Sequence, residues 1–300
     1  MTAFWKKDAS GFITLIPYGG VARRVRTIAS AIDLFAEKTE KRVEILWFTT
    51  DNFIAPSERL FTLSPKYVPE HITIREATIT DRITNDIPGK SNLFLSAPFV
   101  FVKYDLILSP SKVTGLVTEG KEYAAALREV CSKYGERVLI STNETLTKRD
   151  SRIYRYLIPT VEVTGVRNSR MSGWHENVVG VHLSRSNDAN SYAESPTELF
   201  IQRMQKMIER DPTTSFFLAT TDSDEMERLQ TIFRNRVFAI HSISEPGSPE
   251  NVIESYGELL ALSHTRMILT TPNSTFSEVA SEMGRVPMEQ LSIFNLSSKR

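Results

Sequence analysis

The first part of the chain pairs short apolar runs with a helical stripe. Phe12 to Pro17 is an apolar run that predicts a buried strand, and Tyr18-Gly19-Gly20 supplies a turn. Val43 to Phe48 predicts a second buried strand. Between them, apolar residues recur at helical spacing and predict a helix with a core-facing stripe of Val25, Ile28, Ala29, Ile32 and Phe35. A strand, a helix and a strand at this spacing favour a parallel βαβ unit.

The middle of the chain has a weaker pattern. Two stretches rich in polar and turn residues, 49–70 and 80–92, are interpreted as loops. Residues 119–133 predict a helix. Short apolar runs predict further strands at 72–79, 93–97, 106–109 and 137–141.

Strands and helices alternate regularly in the second half. Ser195-Pro196-Thr197-Glu198 is interpreted as a capping box, with proline at the first position of a helix that continues to about Arg210. Gly284 is predicted to be the residue after the last helix. The remaining predictions are strands at 178–183, 216–219, 237–240 and 267–270, and helices at 224–233, 251–263 and 275–283. This alternation predicts a parallel sheet covered on both faces.

Length and composition indicate an ordinary soluble protein of two domains. The 300 residues suit two domains of about 150 residues, and a boundary is expected within 150–175, giving domains 1–160 and 161–300. The 36 basic and 36 acidic residues balance, so nothing in the net charge points to nucleic acid or an anionic membrane. The single cysteine, Cys131, excludes an intrachain disulfide and a cysteine-based zinc cluster. Without a signal-peptide pattern or an apolar run of ~20 residues, a cytoplasmic location without a membrane span is expected.

Three polar segments follow predicted strands, at the sheet edge where open parallel sheets bind their ligands. In 271–277, small hydroxyl residues lead into a helix, which suits a phosphate group or a simple helix cap. In 182–188, Arg185 supplies a charge that can pair with phosphate oxygens, while His182 is either a ligand contact or a satisfied buried histidine. In 220–224, Asp222-Ser223-Asp224 matches a metal-binding D-x-D pattern, and Asp222 as a helix cap explains it equally well.

Several common catalytic motifs are absent from the sequence. No G-x-G-x-x-G motif follows Phe12 to Pro17, and there is no Walker A lysine motif, which argues against a dinucleotide dehydrogenase and a P-loop ATPase. A G-x-S-x-G nucleophile elbow, the usual mark of an α/β-hydrolase, is also missing.

Segments at both ends of the chain match known motifs in a fixed order. Pro17 to Ser30 is similar to G-G-x-x-N-R-x-R-x-x-x-S, and Gly180 to Asn187 is similar to G-V-H-x-R-R-x-D. Phe217 to Asp222 is similar to F-L-A-T-D-D. In this order the segments resemble the GDP-fucose-dependent fucosyltransferases of the α1,6-, nodulation-factor and protein-O-fucosyltransferase type. Leu262-Ser263 and Ser274 to Ala280 resemble that family's last nucleotide loop and helix, whereas residues 60–150 carry little that matches.

The resemblance implies a GT-B-like α/β fold, in which two Rossmann-like doubly wound domains face a cleft. It implies that 1–160 is the acceptor-side domain and that 161–300 binds the nucleotide sugar. Transfer would be inverting, with a GDP-sugar as donor substrate and with neither a cofactor nor a metal. His182, Asp222 and Glu258 would lie in the nucleotide-sugar site, the first and last of them near the guanine and ribose. The diphosphate would face Asn273, Ser274, Thr275 and Ser277 with Arg185 beside it, and the first domain would contribute Gly19, Gly20, Arg24 and Arg26.

The sequence departs from the family pattern at four positions. Ser184 replaces the first arginine of the R-R pair, whose side chain is the family's main contact to the leaving phosphate, and Arg23 replaces the family asparagine. Asn187 and Thr221 each replace an aspartate. Arg23 is a candidate substitute for the missing charge, and loss of one such donor commonly costs about 10²–10³ in rate.

Three functions are therefore weighed. The first is a fucosyltransferase-like hexosyltransferase acting on an oligosaccharide or lipid-linked glycan. The second is a degenerate homologue that binds a nucleotide or glycan without transferring a sugar, and the third is a metal-dependent transferase built on Asp222 and Asp224.

Overall fold

The chain divides into two compact units, Met1–Pro159 and Thr160–Arg300. A computed structural model describes residues 11–36, 41–85, 100–109, 127, 131, 136–185, 189–242 and 244–294. The predicted strand at 93–97 lies outside these residues, and of the predicted helix at 119–133 only Leu127 and Cys131 are described, both of them helical.

In the described residues, the N-terminal unit is built on a five-stranded parallel sheet and a separate strand pair. The strands of the unit are β1 (Phe12–Pro17), β2 (Arg42–Trp47), β3 (Phe61–Leu63), β4 (Ile72–Glu76), β5 (Leu106–Leu108), β6 (Arg137–Thr142) and β7 (Leu157–Pro159). The sheet has the order β4-β2-β1-β6-β5, and β3 pairs separately with β7 in antiparallel fashion. The chain moves outwards from β1 to β2 and β4 on one side, whereas β5 and β6 lie on the other. The strand order therefore reverses between β1 and β6.

Two helices of the N-terminal unit are α1 (Val21–Phe35) and α2 (Ile79–Thr84). Gly19 has a φ of +88°, a left-handed conformation that favours glycine and allows the tight turn between β1 and α1. At α2, Thr78 and Asp81 form a capping box in which each side chain accepts from the other's backbone N–H.

The predicted loops at 49–70 and 80–92 were partly wrong. The first contains a 3₁₀ turn at Ser57–Arg59 and strand β3, and the second overlaps α2. The strand predicted over 72–79 ends at Glu76, because the chain must leave the sheet before the Thr78 cap. Strand β3 forms by pairing with β7, about a hundred residues away in sequence, so no local pattern reveals it.

The C-terminal unit alternates strands and helices, as its pattern predicted. Its strands are β8 (Val178–Leu183), β9 (Ser215–Thr220), β10 (Val237–Phe238), β11 (Ile268–Thr270) and β12 (Met288–Gln290). Its helices are α3 (Val161–Arg170), α4 (Ala189–Glu194), α5 (Thr197–Arg210), α6 (Ser223–Phe233), α7 (Pro249–Leu262) and α8 (Thr275–Gly284). All five strands are parallel in the order β10-β9-β8-β11-β12, which reverses between β8 and β11.

Two elements of this unit were not predicted, and two details of its helix ends were wrong. Helix α3 lies inside the 150–175 region, where the two units also divide, between Pro159 and Thr160, and strand β12 was missed. The cap of α5 is Pro196, without a side-chain bond, because the Ser195 hydroxyl instead donates to the carbonyl of Leu291 at 2.6 Å. Gly284 is the last residue of α8, and Arg285 takes the left-handed conformation after it. Glycine is required at 284 by a close approach, because a Cβ there would lie 1.9 Å from the carbonyl oxygen of Ser263.

Among the residues described, no helix combines the length and the apolar character needed to cross a membrane.

Candidate functional site

The candidate site lies at the carboxyl ends of β8 and β11, where the strand order of the C-terminal sheet reverses. Parallel pairing sets Thr270 opposite His182, so the segments that follow the two strands leave the sheet side by side. Ligands of open α/β sheets bind in the crevice beyond such a reversal. The topology therefore selects His182 and the segment 271–277 independently of any motif.

His182 is fixed by two serine hydroxyls from the α8 segment. Its Nδ1 lies 2.7 Å from the Oγ of Ser277 and 3.0 Å from the Oγ of Ser274. The Ser277 hydroxyl also contacts the Oγ1 of Thr270 at 2.7 Å, and the ring of Phe276 stacks on the imidazole with centroids 4.9 Å apart. Burial lowers the pKa of His182 to about 4, so the imidazole is neutral at pH 7. No bond to its Nε2 occurs within the described residues, which leaves that nitrogen available to a ligand.

The beginning of α8 has the geometry of an anion site. Ser274 caps the helix and its Oγ accepts from the N–H of Ser277 at 3.3 Å. The N–H groups of Thr275 and Phe276, at the first two helical positions, have no partner inside the helix. These donors and the helix dipole favour a negative charge. Thr271, four residues before Thr275 in the chain, has a buried Oγ1 without a hydrogen-bond partner in the described part of the chain.

Asn273 precedes this cap in a left-handed conformation, with a φ of 57°. Asparagine tolerates that conformation better than most residues. Its side chain is exposed, whereas Ser277 is fully buried. The structure thus brings His182, Ser274 and Ser277 into contact and holds Asn273 and Thr275 next to them in the chain; their contact with a nucleotide stays a prediction.

Arg185 belongs to a different group of contacts. Its side chain is only 3% exposed, and its two terminal nitrogens donate to the carbonyl of Ser195 and to the Oγ1 of Thr197, both at 2.7 Å. The Tyr192 ring covers the guanidinium with its centroid 4.6 Å away, and Glu225 lies 3.9 Å from it. These contacts join Arg185 to the beginnings of α5 and α6. Within the described ranges, Arg185 makes no direct contact with the cluster formed by His182, Ser274 and Ser277.

Asp222 serves as the cap of α6. Its Oδ1 accepts from the N–H groups of Asp224 and Glu225, each at 3.1 Å, and its Oδ2 accepts from the Tyr192 hydroxyl at 2.5 Å. The hydrogen bond from Tyr192 is the main reason that the pKa of Asp222 is lowered. The D-x-D pattern is thus accounted for by helix capping. Within the described part of the chain, no three histidine, cysteine, aspartate or glutamate side chains are arranged to hold a metal ion.

Glu258 lies on α7 and pairs with Arg170 at the end of α3. The Nε of Arg170 donates to the Glu258 carboxylate at 3.1 Å, and a second nitrogen lies 3.0 Å away. Burial raises the pKa of Glu258, and the positive charge of Arg170 opposes that shift. Sequence reasoning missed Arg170 because it placed a domain boundary where α3 forms.

Arg24 is a core residue of the N-terminal unit. Its Nε donates to Gly19 at 2.9 Å and its terminal nitrogen to Phe48 at 2.7 Å, both to carbonyls. The guanidinium lies 4.7 Å from the Trp47 ring centroid and 4.1 Å from that of Phe53. Burial lowers its pKa to about 10. These contacts explain how Arg24, in the first turn of α1, is only 1% exposed, because its guanidinium has both hydrogen-bond and aromatic partners.

The other residues predicted around this turn differ in exposure. Arg26 is also buried, Gly20 is the exposed cap of α1, and Arg23 is exposed on α1. The stem of Arg23 runs past Gly19, where a Cβ would lie 3.2 Å from its Cδ. Their roles towards a nucleotide sugar stay predictions.

Tyr192 was missed by the sequence reasoning. Its ring covers Arg185 and its hydroxyl binds Asp222, so it links two residues that the sequence had nominated separately. Apart from an isolated aromatic residue in a polar segment, no signal in the sequence marked it.

Solved structures of fucosyltransferases share the fold of this chain, although comparisons of sequence find no match. No protein-family model matches the chain, and no curated protein matches it in sequence. The NodZ α1,6-fucosyltransferase soaked with GDP-fucose aligns with a TM-score of 0.64 at 14% identity, over 95% of this chain and 96% of NodZ. POFUT1 in complex with GDP aligns with a TM-score of 0.55 at 14% identity, over 95% and 99%.

A mutant of Arabidopsis thaliana FUT1 in complex with GDP aligns with a TM-score of 0.58 at 13% identity, over 93% of this chain and 69% of FUT1. Likeness at these identities establishes the fold and leaves the activity open. The chain therefore has the parallel α/β fold of the GT-B fucosyltransferases.

Proposed function

We propose that the chain is a glycosyltransferase that takes its sugar from a nucleotide diphosphate donor, GDP-fucose above all. The observation that carries the proposal is the cluster of His182, Ser274 and Ser277 at the beginning of α8. It lies at the strand reversal of the C-terminal sheet, where this fold class binds ligands. The fucosyltransferases that share the fold were solved with GDP or GDP-fucose, which supports guanine as the base.

The donor's diphosphate is proposed to lie against the first N–H groups of α8, beside Thr275. These donors are held in place by the Ser274 cap before any ligand arrives. Donors that are fixed in advance stabilise the charge that develops on a leaving phosphate without reorganising. We infer that these N–H groups compensate in part for Ser184, which has no guanidinium to offer a phosphate.

His182 is proposed to contact the nucleoside part of the donor. Its Nδ1 is engaged by serine hydroxyls, so its Nε2 remains for a ribose hydroxyl or a guanine atom. A neutral imidazole can donate or accept a hydrogen bond there without placing a charge next to the base. Glu258 and Asp222 are proposed to border the same site.

Arg185 is proposed to act on the diphosphate through its charge. Its terminal nitrogens already bind Ser195 and Thr197, so the guanidinium contributes a fixed positive potential at this edge of the sheet. The transfer is proposed to invert the anomeric carbon and to proceed without a metal. The acceptor is proposed to be an oligosaccharide or a lipid-linked glycan.

Isothermal titration with GDP, GDP-fucose and guanosine tests the binding part of the proposal. Ser274→Ala is expected to weaken GDP binding about tenfold, equivalent to about 1.4 kcal/mol of binding free energy. Its effect on guanosine binding should be much smaller. Ser248→Ala is the matched control, because Ser248 caps α7 in the same way through the N–H of Asn251. The control should lose about 1 kcal/mol of stability and keep its GDP affinity.

Wild-type protein that binds neither GDP nor any other nucleotide sugar of a panel would refute the proposal. Transfer itself is tested by the release of GDP from GDP-fucose, with and without glycan acceptors. GDP binding without any turnover would mean that the protein is a nucleotide-binding homologue and not a transferase. Turnover that a chelator abolishes would refute the metal-independent reaction.

A further inference from the structure

The C-terminal unit has a cavity of about 860 Å³ at the amino ends of its strands. Asn177 and Arg236 line it directly before β8 and β10, and Ser215 lines it as the first residue of β9. The strands are parallel, so this edge of the sheet is opposite to the one proposed to bind the nucleotide. Strand β8 has six residues, which separates the two edges by about 17 Å.

One wall of the cavity is a network of hydrogen bonds around Asn177. Its Nδ2 donates to the Oδ2 of Asp211 at 2.8 Å and to the Oγ1 of Thr214 at 3.0 Å. The N–H and the hydroxyl of Thr213 donate to the Oδ1 of Asp211 at 3.0 and 2.6 Å. The Thr213 hydroxyl is the main reason that the pKa of Asp211 is lowered. Donors within the wall therefore already bind both oxygens of this carboxylate.

Two arginines line the cavity and are held in place by neutral oxygen atoms. The Nη1 of Arg236 donates to the carbonyls of Pro212 and Thr214 at 2.5 and 3.1 Å. The Nη1 of Arg266 donates to the Oδ1 of Asn177 at 2.8 Å. Among the described residues, the Nε and Nη2 atoms of both arginines have no hydrogen-bond partner, and neither arginine forms an ion pair. Both guanidinium groups are thus positioned with donors to spare.

Other arginines of the C-terminal unit are paired with carboxylates. The pairs are Arg170 with Glu258, Arg203 with Glu289, and Arg228 with Glu198, at 2.7–3.0 Å. The planar guanidinium suits the oxygens of a carboxylate or a phosphate equally well. For Arg236 and Arg266 the described part of the chain supplies no such anion, so the cavity is suited to an oxyanion from a ligand.

The cavity also has groups that suit the hydroxyls of a ligand. Glu176, Asn235 and His175 line it with exposed side chains that have no hydrogen-bond partner in the described ranges. A carboxylate accepts hydrogen bonds, whereas an amide both donates and accepts them, and a sugar hydroxyl matches either. The volume lies within the range of about 300–1,000 Å³ that is typical of small-molecule sites. An inorganic anion alone would leave most of it empty.

We propose that this cavity binds a small phosphorylated sugar, at a site separate from the nucleotide site. Arg236 and Arg266 bind the phosphate, and Glu176 and Asn235 bind hydroxyls of the sugar. The network around Asn177 holds Arg266 in position before the ligand arrives. The inference concerns binding alone, and it does not depend on the function proposed for the opposite edge of the sheet.

NMR titration with glucose 1-phosphate tests the site, because His175 and His182 report separately on the two edges of the sheet. The ring resonances of His175 should shift and saturate. Arg266→Gln should weaken this binding about tenfold or more, because charge-assisted hydrogen bonds to the phosphate are lost. Arg210→Gln is the matched control, since it removes the same charge from an exposed arginine outside the cavity lining and should change the affinity less than about twofold.

Three further probes separate the parts of the proposed ligand. Glucose should bind much more weakly than glucose 1-phosphate, because it offers the arginines no charge. Inorganic phosphate should also bind more weakly, and Glu176→Ala should reduce the difference between it and glucose 1-phosphate. Glucuronate should bind more weakly again, because its carboxylate carries one charge whereas a phosphate ester carries about 1.5–2.

Several results would overturn the inference. Glucose 1-phosphate that leaves the His175 resonances unchanged at millimolar concentrations would remove the site, and a shift confined to His182 would move the phosphate to the opposite edge. Equal affinity in wild type and Arg266→Gln would refute the role of the arginines. Glucose or glucuronate binding as tightly as glucose 1-phosphate would refute the phosphate, and inorganic phosphate binding as tightly would refute the sugar.

Discussion

Acidification should destabilise the C-terminal unit through His182. The imidazole is fixed by Ser274 and Ser277 and covered by Phe276, so a proton added to it would place a charge in a largely buried site. Its pKa is about 4 in the folded protein, against an ordinary value of 6.5. The unfolded chain therefore binds a proton between pH 6.5 and pH 4 that the folded protein does not bind. Stability is present above pH 6.5 and is lost as the pH falls through this window.

The size of the effect follows from the shift. The difference between pKa values of 6.5 and about 4 corresponds to about 3 kcal/mol of unfolding free energy, lost in full only below both values. Between pH 7 and pH 5 the linkage relation gives a loss of about 2 kcal/mol from this histidine alone. For a protein whose total stability is commonly about 5–15 kcal/mol, this loss is large enough to measure.

Urea denaturation at several pH values, on the wild type and on His182→Gln, isolates the contribution. The glutamine cannot be protonated. The difference in unfolding free energy between the two proteins should therefore shrink by about 2 kcal/mol from pH 7 to pH 5. His241→Gln is the control, because it makes the same replacement at an exposed histidine. NMR titration of the imidazole gives the pKa directly.

Two results would refute this reasoning. The first is an imidazole of His182 that titrates near pH 6.5 or above in the folded protein. The second is an equal loss of stability in wild type and His182→Gln on acidification. Either result would mean that water or a charged partner reaches the ring, and the neutral His182 proposed for nucleoside binding would then be wrong.

Two further substitutions test the packing behind the site. Gly284→Ala should cost more than about 3 kcal/mol in urea denaturation, because its Cβ would collide with a backbone carbonyl that cannot move away as a side chain could. Gly165→Ala, in α3 with open space around it, should be neutral or stabilise by about 0.5–1 kcal/mol, and equal effects of the two would contradict the structure. Arg170→Met should lower the unfolding free energy by about 1–3 kcal/mol by leaving Glu258, whose side chain is 22% exposed, without its cation, whereas the double variant Arg170→Met with Glu258→Leu should recover most of that loss.

Local sequence patterns predicted the elements whose own residues carry a complete strand or helix pattern. Strands β1 and β8 are buried apolar runs, and α1 carries one apolar stripe, so each was predicted close to its observed bounds. Strands β3 and β12 are only three residues long and form by pairing, β3 with β7 far along the chain and β12 with β11, the strand before it. Their residues have no pattern of their own, so the sequence could not reveal them.

The candidate site was predictable in position but not in its contacts. The rule about carboxyl ends of strands selected His182 and 271–277 correctly as neighbours, because parallel pairing fixes which strand ends meet. It could not distinguish Arg185 from His182, which lies three residues earlier. Near the end of a strand, small changes in backbone direction decide which way a side chain points, and here Arg185 turns to Ser195 and Thr197.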